Sequence, residues 1–110
     1  MEKEIHATEF RELPSGDVVR FDFRWMLEKG KMTDFAINVN LIEGEEATDV
    51  FRVDTKHGYL HEQRFWISHK PKPLNLKYNV AFVSKKKEVF ENYEKWIKLF
   101  KEARKKGEVR

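Results

Sequence analysis

There is no cysteine among the 110 residues of this chain. Its absence excludes a disulfide framework, a thiolate-bound zinc and a cysteine nucleophile. No apolar run approaches the roughly 20 residues that span a bilayer. The opening Met1-Glu2-Lys3-Glu4-Ile5-His6 lacks the apolar centre of a signal peptide. The expectation is a cytoplasmic protein with no membrane contact. Glutamine occurs once, at Gln63, beside abundant Lys and Glu, a composition that fits a heat-adapted host. No Walker loop, Gly-rich dinucleotide turn or Gly-x-Ser-x-Gly elbow is present, so no cofactor is expected.

What the chain does have is enough apolar material for one core. It is 40% hydrophobic and 14% aromatic, and its length leaves no room for a second domain, so residues 1–110 are read as one unit. Charged residues make up 37% and belong mostly to a solvated surface. The net charge of +3 hides an asymmetry. Residues 1–67 carry 9 Lys/Arg against 14 Asp/Glu, a balance of −5, and residues 68–110 carry 13 against 5, a balance of +8. A basic C-terminal half suits nucleic acid, an acidic partner, or the acidic half of a second copy. Lysines that merely keep a helix soluble give the same count.

Residues 1–16 show no clear period and read as a lead-in, with a short edge strand around Ala7–Arg11 and a turn at Pro14-Ser15-Gly16. Residues 17–67 read as a β-meander. Val19, Phe21, Phe23, Trp25 and Leu27 alternate with Arg20, Asp22 and Arg24, and Phe35, Ile37, Val39 and Leu41 alternate with Asp34, Ala36, Asn38 and Asn40. Turns fall at Glu28–Lys31 and Glu43–Glu46, followed by strands over about 49–54 and 59–67. Connections this short require antiparallel pairing.

Residues 68–83 open with His69-Lys70-Pro71-Lys72-Pro73, a loop. Leu74, Leu76, Tyr78, Val80 and Phe82 then alternate, as a fifth strand or an extended segment covering the sheet would. Val89, Tyr93, Trp96 and Phe100 recur at helical spacing, which predicts an amphipathic helix over 84–106 with Ser84 as N-cap and Gly107 as stop. The fold class is therefore α+β. A four- to five-stranded antiparallel meander carries one long C-terminal helix on its apolar face. Lys85, Lys86 and Lys87 fall in the predicted first turn, where the helix dipole disfavours cations, which hints at an anionic partner.

The residue types able to do chemistry near neutral pH collect in Phe51–Trp66. For any even loop, strand parity places Arg52, Asp54, Tyr59, His61 and Gln63 on one face. A four-residue loop pairs Asp54 with Tyr59; a two-residue loop pairs Asp54 with His61. Facing residues have Cβ atoms about 4.5–5.5 Å apart. An aspartate beside His61 fixes its tautomer for general acid–base work. Arg52 or Arg64 suits a phosphate clamp, and Tyr59 suits stacking on a base. These are the parts of metal-independent RNA cleavage. A row of Arg, Asp, His and Gln on a solvated sheet face is equally an ordinary surface. No metal site is expected, because His57 and His61 lie about 13 Å apart along a strand at about 3.3 Å per residue.

Arg52-x-Asp54-x-x-His57-Gly58-x-x-His61, late in a meander and followed by a C-terminal helix, resembles the TumE-like toxin proteins of prokaryotic toxin–antitoxin pairs. It is similar also to related small prokaryotic families with an Arg-x-Asp…His…His hairpin. The resemblance implies a cytoplasmic toxin-like protein neutralised by an antitoxin-like partner encoded beside it, with Arg52, Asp54, His57 and His61 as its site. Where such toxins carry a tighter His-x-His pair, this chain has His61-Glu62-Gln63.

Three expectations follow. The first is a metal-independent ribonuclease using Arg52, Asp54, His57, His61 and Arg64. The second is a nucleic-acid-binding module without chemistry, using Lys70, Lys72, Lys77 and Lys85–Lys87; Tyr59 and the lysines at 70, 72 and 85–87 are the substrate-binding candidates. The third is an interaction protein, such as a homodimer joining acidic to basic halves or pairing an exposed sheet edge.

Overall fold

The computed structural model describes residues 2–107. Six strands run in chain order across one antiparallel sheet: β1 Glu2–Glu12, β2 Val18–Glu28, β3 Lys31–Glu43, β4 Glu46–Asp54, β5 His61–Arg64 and β6 Lys72–Pro73. One helix, α1 Tyr78–Lys105, crosses the face that the alternating apolar residues define. The α+β layout of meander plus C-terminal helix is as expected, with one strand more than the upper count.

The core follows from the two periods. Val19, Phe21 and Phe23 of β2 sit opposite Leu41, Val39 and Ile37 of β3, and Val53 and Phe51 continue the row on β4. All are buried, because an apolar sheet face and an apolar helix stripe each need the other. Phe51 stacks on Trp96 with ring centroids 4.5 Å apart, Phe21 meets Phe90 at 4.8 Å, and Trp25 meets Phe82 at 5.1 Å.

Three expected boundaries are corrected. The edge strand expected around Ala7–Arg11 within a lead-in is longer: Glu2–Glu12 is an eleven-residue edge strand paired along its length with β2. Most of its side chains are exposed, since α1 meets it only where Arg11 lies over Phe90, so its sequence carries no apolar alternation. There is no strand over 74–82. The helix begins at Tyr78, with Ala81 and Phe82 already in the core, and Ser84 is not the cap but donates its hydroxyl to Ala81 O inside the helix. N-terminal to Val89 the apolar stripe is interrupted by Lys85, which occupies a core-facing step. Lys85–Lys87 consequently lie beyond the first turn, where the helix dipole does not disfavour cations and calls for no anion. The strand expected over 59–67 is only His61–Arg64.

The acidic turns of the sheet are held by the basic end of α1. Lys101 Nζ lies 2.9 Å from Asp17 Oδ2, and Arg104 donates to both Glu43 carboxylate oxygens at 2.6 and 2.9 Å. Part of the charge asymmetry between the two halves is therefore matched within the chain.

Candidate functional site

β4 and β5 pair Asp54 with His61, Arg52 with Gln63, Val53 with Glu62 and Phe51 with Arg64. This is the register that a two-residue loop would give, although six residues, 55–60, make the connection. The extra length closes as a single 3₁₀ turn, Lys56–Gly58, with His57 at φ 68° and Gly58 at φ 81°. Left-handed backbone suits glycine and strains most other residues, though histidine is among the types enriched there.

The Asp54–His61 pair fastens the base of that loop. His61 Nε2 lies 2.8 Å from Asp54 Oδ1, and both side chains are about nine-tenths buried. The same carboxylate oxygen accepts the Lys56 backbone N–H at 3.1 Å, while His61 Nδ1 lies 3.1 Å from Tyr59 O. Each ring nitrogen thus faces an oxygen of its own chain, and neither is turned to solvent. Thr55 secures the strand end: its hydroxyl bonds Asp34 and accepts the Phe35 N–H. The residues left exposed at the tip are Lys56, His57, Gly58 and Tyr59. The Tyr59 ring leans on His61 at 4.7 Å between centroids and is 41% exposed.

The other expected site residues are not gathered here. Arg52 reaches along the polar sheet face, with Nε donating to Asn38 Oδ1 at 2.7 Å and a terminal nitrogen 3.4 Å from Asp49. Arg64 stands on the opposite face, because it is an odd number of residues from His61 along the same strand. It lies over Trp96, 5.0 Å from the ring centroid, and pairs with Glu62 at 2.8 Å and Glu88 at 3.0 Å. Lys85, Lys86 and Lys87 diverge. Lys85 Nζ contacts Glu62 at 2.6 Å and Glu88 at 2.9 Å, Lys86 lies over the Phe23 ring at 5.2 Å, and Lys87 faces solvent.

Glu62 is the residue that the sequence reading missed. It sits on the helix face opposite Val53 with a side chain only 7% exposed, and it anchors Arg64 and Lys85. Burial pushes its carboxyl up, but the contacts with Arg64 and Lys85 outweigh that and hold it below its ordinary value. In return, although burial alone would lower Lys85 and Arg64, their acidic neighbours hold both above theirs. The available signal was Lys85 itself: a lysine on a core-facing helix step needs a buried acid.

One end of the molecule collects unpaired cations. The loop at 55–60 bonds β3 through Thr55 N to Phe35 O, and Leu60 O accepts the Leu74 N–H, which brings in β6. Gly30, Lys31 and Met32 share a hollow with Lys77, Tyr78 and Asn79 at the start of α1. Lys29, Lys31, Lys56, Lys72 and Lys77 are all exposed, and among the described residues none lies within ion-pair distance of an acid. Lys70 lies nearby with Lys72 on a hollow lined also by Arg64 and Ser68.

The protein is thus an α+β chain of one open antiparallel sheet and one helix, with a fastened loop and a basic end. Residues 3–106 match the family described as a domain of unknown function (DUF7718), and the chain belongs to that family. No curated protein and no solved structure matches it. No helix among the described residues is long and apolar enough to cross a membrane.

Proposed function

We propose that this protein binds single-stranded nucleic acid, RNA foremost, at its basic end, without catalysing a reaction there. The observation that carries this is that Lys29, Lys31, Lys56, Lys72 and Lys77, all exposed and, among the described residues, free of ion pairs, lie in the turns and loops at the end of the sheet that also presents the exposed Tyr59 ring. Single strands are held by cations that track phosphates and by aromatic rings on which bases stack. Three of the neighbouring acids are already engaged, Asp54 by His61, Glu62 by Arg64 and Lys85, and Asp34 by Arg24 and Thr55, while Glu28, opposite Lys31, and Glu2 stand exposed. The fastened loop supports a binding role, because Asp54 and His61 keep Tyr59 in place without offering a free ring nitrogen.

Binding to a short labelled RNA across a salt series tests the proposal. Affinity is expected to fall with salt, and each of Lys56→Ala, Lys72→Ala and Lys77→Ala lowers the log–log slope by about 0.7. Tyr59→Ala costs about 1–3 kcal/mol with the slope unchanged. Absent or salt-insensitive binding refutes it.

A second reading keeps the toxin-like chemistry and an antitoxin-like partner. It draws support from one observation, the exposed imidazole of His57 at the loop tip beside Tyr59 and Lys56. In that case His57 is the reacting group, and Asp54 and His61 position its loop. RNA cleavage by wild type, compared with His57→Ala, His61→Ala and Arg52→Ala, separates the readings. Equal cleavage by all four, or none by wild type, removes this one.

A further inference from the structure

We infer that β1 is a self-association edge, through which two copies pair antiparallel in the register that sets His6 opposite His6 of the second copy. The two ends of the sheet differ. β6 is only Lys72–Pro73, and proline has no N–H to offer a new strand. β1 offers eleven residues, most of them exposed, and meets α1 only near its C-terminal end, where Arg11 lies over the Phe90 ring at 5.4 Å.

The backbone dictates which groups are free. The Leu13 N–H bonds Asp17 O at 2.8 Å, and β1–β2 pairing continues that register unbroken to Glu2. In an antiparallel ladder bonded and non-bonded pairs alternate, so the odd residues of β1 bond to β2. The N–H and C=O groups of Glu2, Glu4, His6, Thr8, Phe10 and Glu12 point to the free edge; of these, the Phe10 carbonyl accepts a 2.9 Å bond from the Arg11 side chain, which a second strand would replace. A two-fold pairing keeps each residue on its own face of the sheet, so even residues must meet even residues.

Among registers of that kind, side-chain complementarity selects one. With Ala7 at the two-fold axis, Lys3 would face Arg11, Glu2 would face Glu12, and Ile5 would face Glu9. One step along, with His6 at the axis, Lys3 faces Glu9 twice over and Ile5 faces Ala7. Ile5 and Ala7 already stand beside Trp25 and Phe23 on β2. The helix face of the joined sheet then carries an apolar row flanked by ion pairs. Centring on Ile5 sets Lys3 against Ala7 and shortens the overlap. The chosen register makes about ten backbone hydrogen bonds, the number found in stable protein interfaces.

The absence of cysteine makes the register readable by cross-linking. Single His6→Cys and Ala7→Cys chains are oxidised gently and run without reductant. A bonded antiparallel pair holds Cα atoms about 5.5 Å apart, within disulfide reach. The expected result is a covalent dimer at position 6 and much less at position 7. Wild type sediments as a dimer, Lys3→Glu as a monomer, and Lys3→Glu combined with Glu9→Lys as a dimer again. Thr8→Pro, which removes an edge N–H and the exposed Thr8–Asp22 side-chain bond but spares the β1–β2 backbone bonds, is monomeric with an unchanged circular dichroism spectrum. A wild type that stays monomeric at high concentration overturns the inference. So does preferred cross-linking at position 7, or failure of the charge swap to restore the dimer.

Discussion

At the residue scale, Asp54 and His61 matter as a fastening. Removing His61 leaves a carboxylate about nine-tenths buried beside an unfilled space, so His61→Ala is expected to destabilise the fold by about 3 kcal/mol in urea titration. His57 behaves in the opposite way. Its φ of 68° is relieved by glycine, so His57→Gly is expected to raise stability by up to about 1 kcal/mol. If His57 acts in cleavage, the same variant is more stable and inactive, a combination that a structural histidine does not produce. The Asp54–His61 neighbourhood was legible in the sequence, because strand parity constrains which residues can face each other. What parity could not supply was the loop's closure. Six residues fold into a turn with two left-handed positions and leave the register of a two-residue hairpin.

The helix and the edge strand show why whole elements differ in legibility. β2 and β3 have one wet face and one dry face, so Phe21, Phe23, Ile37 and Val39 report their strands directly. β1 has two wet faces, and Glu-Lys-Glu-Ile-His-Ala-Thr-Glu-Phe-Arg-Glu carries no period to read. Leu76, exposed before α1, and Val80, exposed on its first turn, lent residues 74–82 the look of a strand. The helix start carries a further consequence. Lys77 has the extended backbone of an N-cap but makes no side-chain cap bond, and no acid lies in the first turn. Lys77→Asp is therefore expected to raise stability by about 1 kcal/mol by satisfying an orphan N–H and complementing the dipole. The same substitution weakens RNA binding if the basic end is the binding surface, so thermal melts and affinity should move in opposite directions.

On the scale of the whole molecule, charge is sorted by position. The acidic turns are tied down by Lys101 and Arg104, while the cations at the other end are left free. The Arg104 hydrogen bonds hold the Glu43 carboxyl below its ordinary value, as the cations around Glu62 do against the opposing pull of burial. A depressed carboxylate contributes stability that is complete above its unfolded value, near pH 4, and is lost as pH falls through the folded one. The melting temperature should be level from neutral pH down to about 5 and drop below about 4. Glu62→Gln should lower the plateau and flatten the drop. For Lys85, raised by Glu62 and Glu88 against its burial, the contribution persists to above about pH 10 and lies outside that window.

The two-residue β6 has a consequence for aggregation. A sheet with two open edges can recruit strands without limit and grow into a fibre. Here Pro73 makes one side a dead end, so any strand accepted along β1 fills the last vacancy. Recruitment is then a terminating step, and a long bare edge that would be a liability in a two-sided sheet is tolerable in this one.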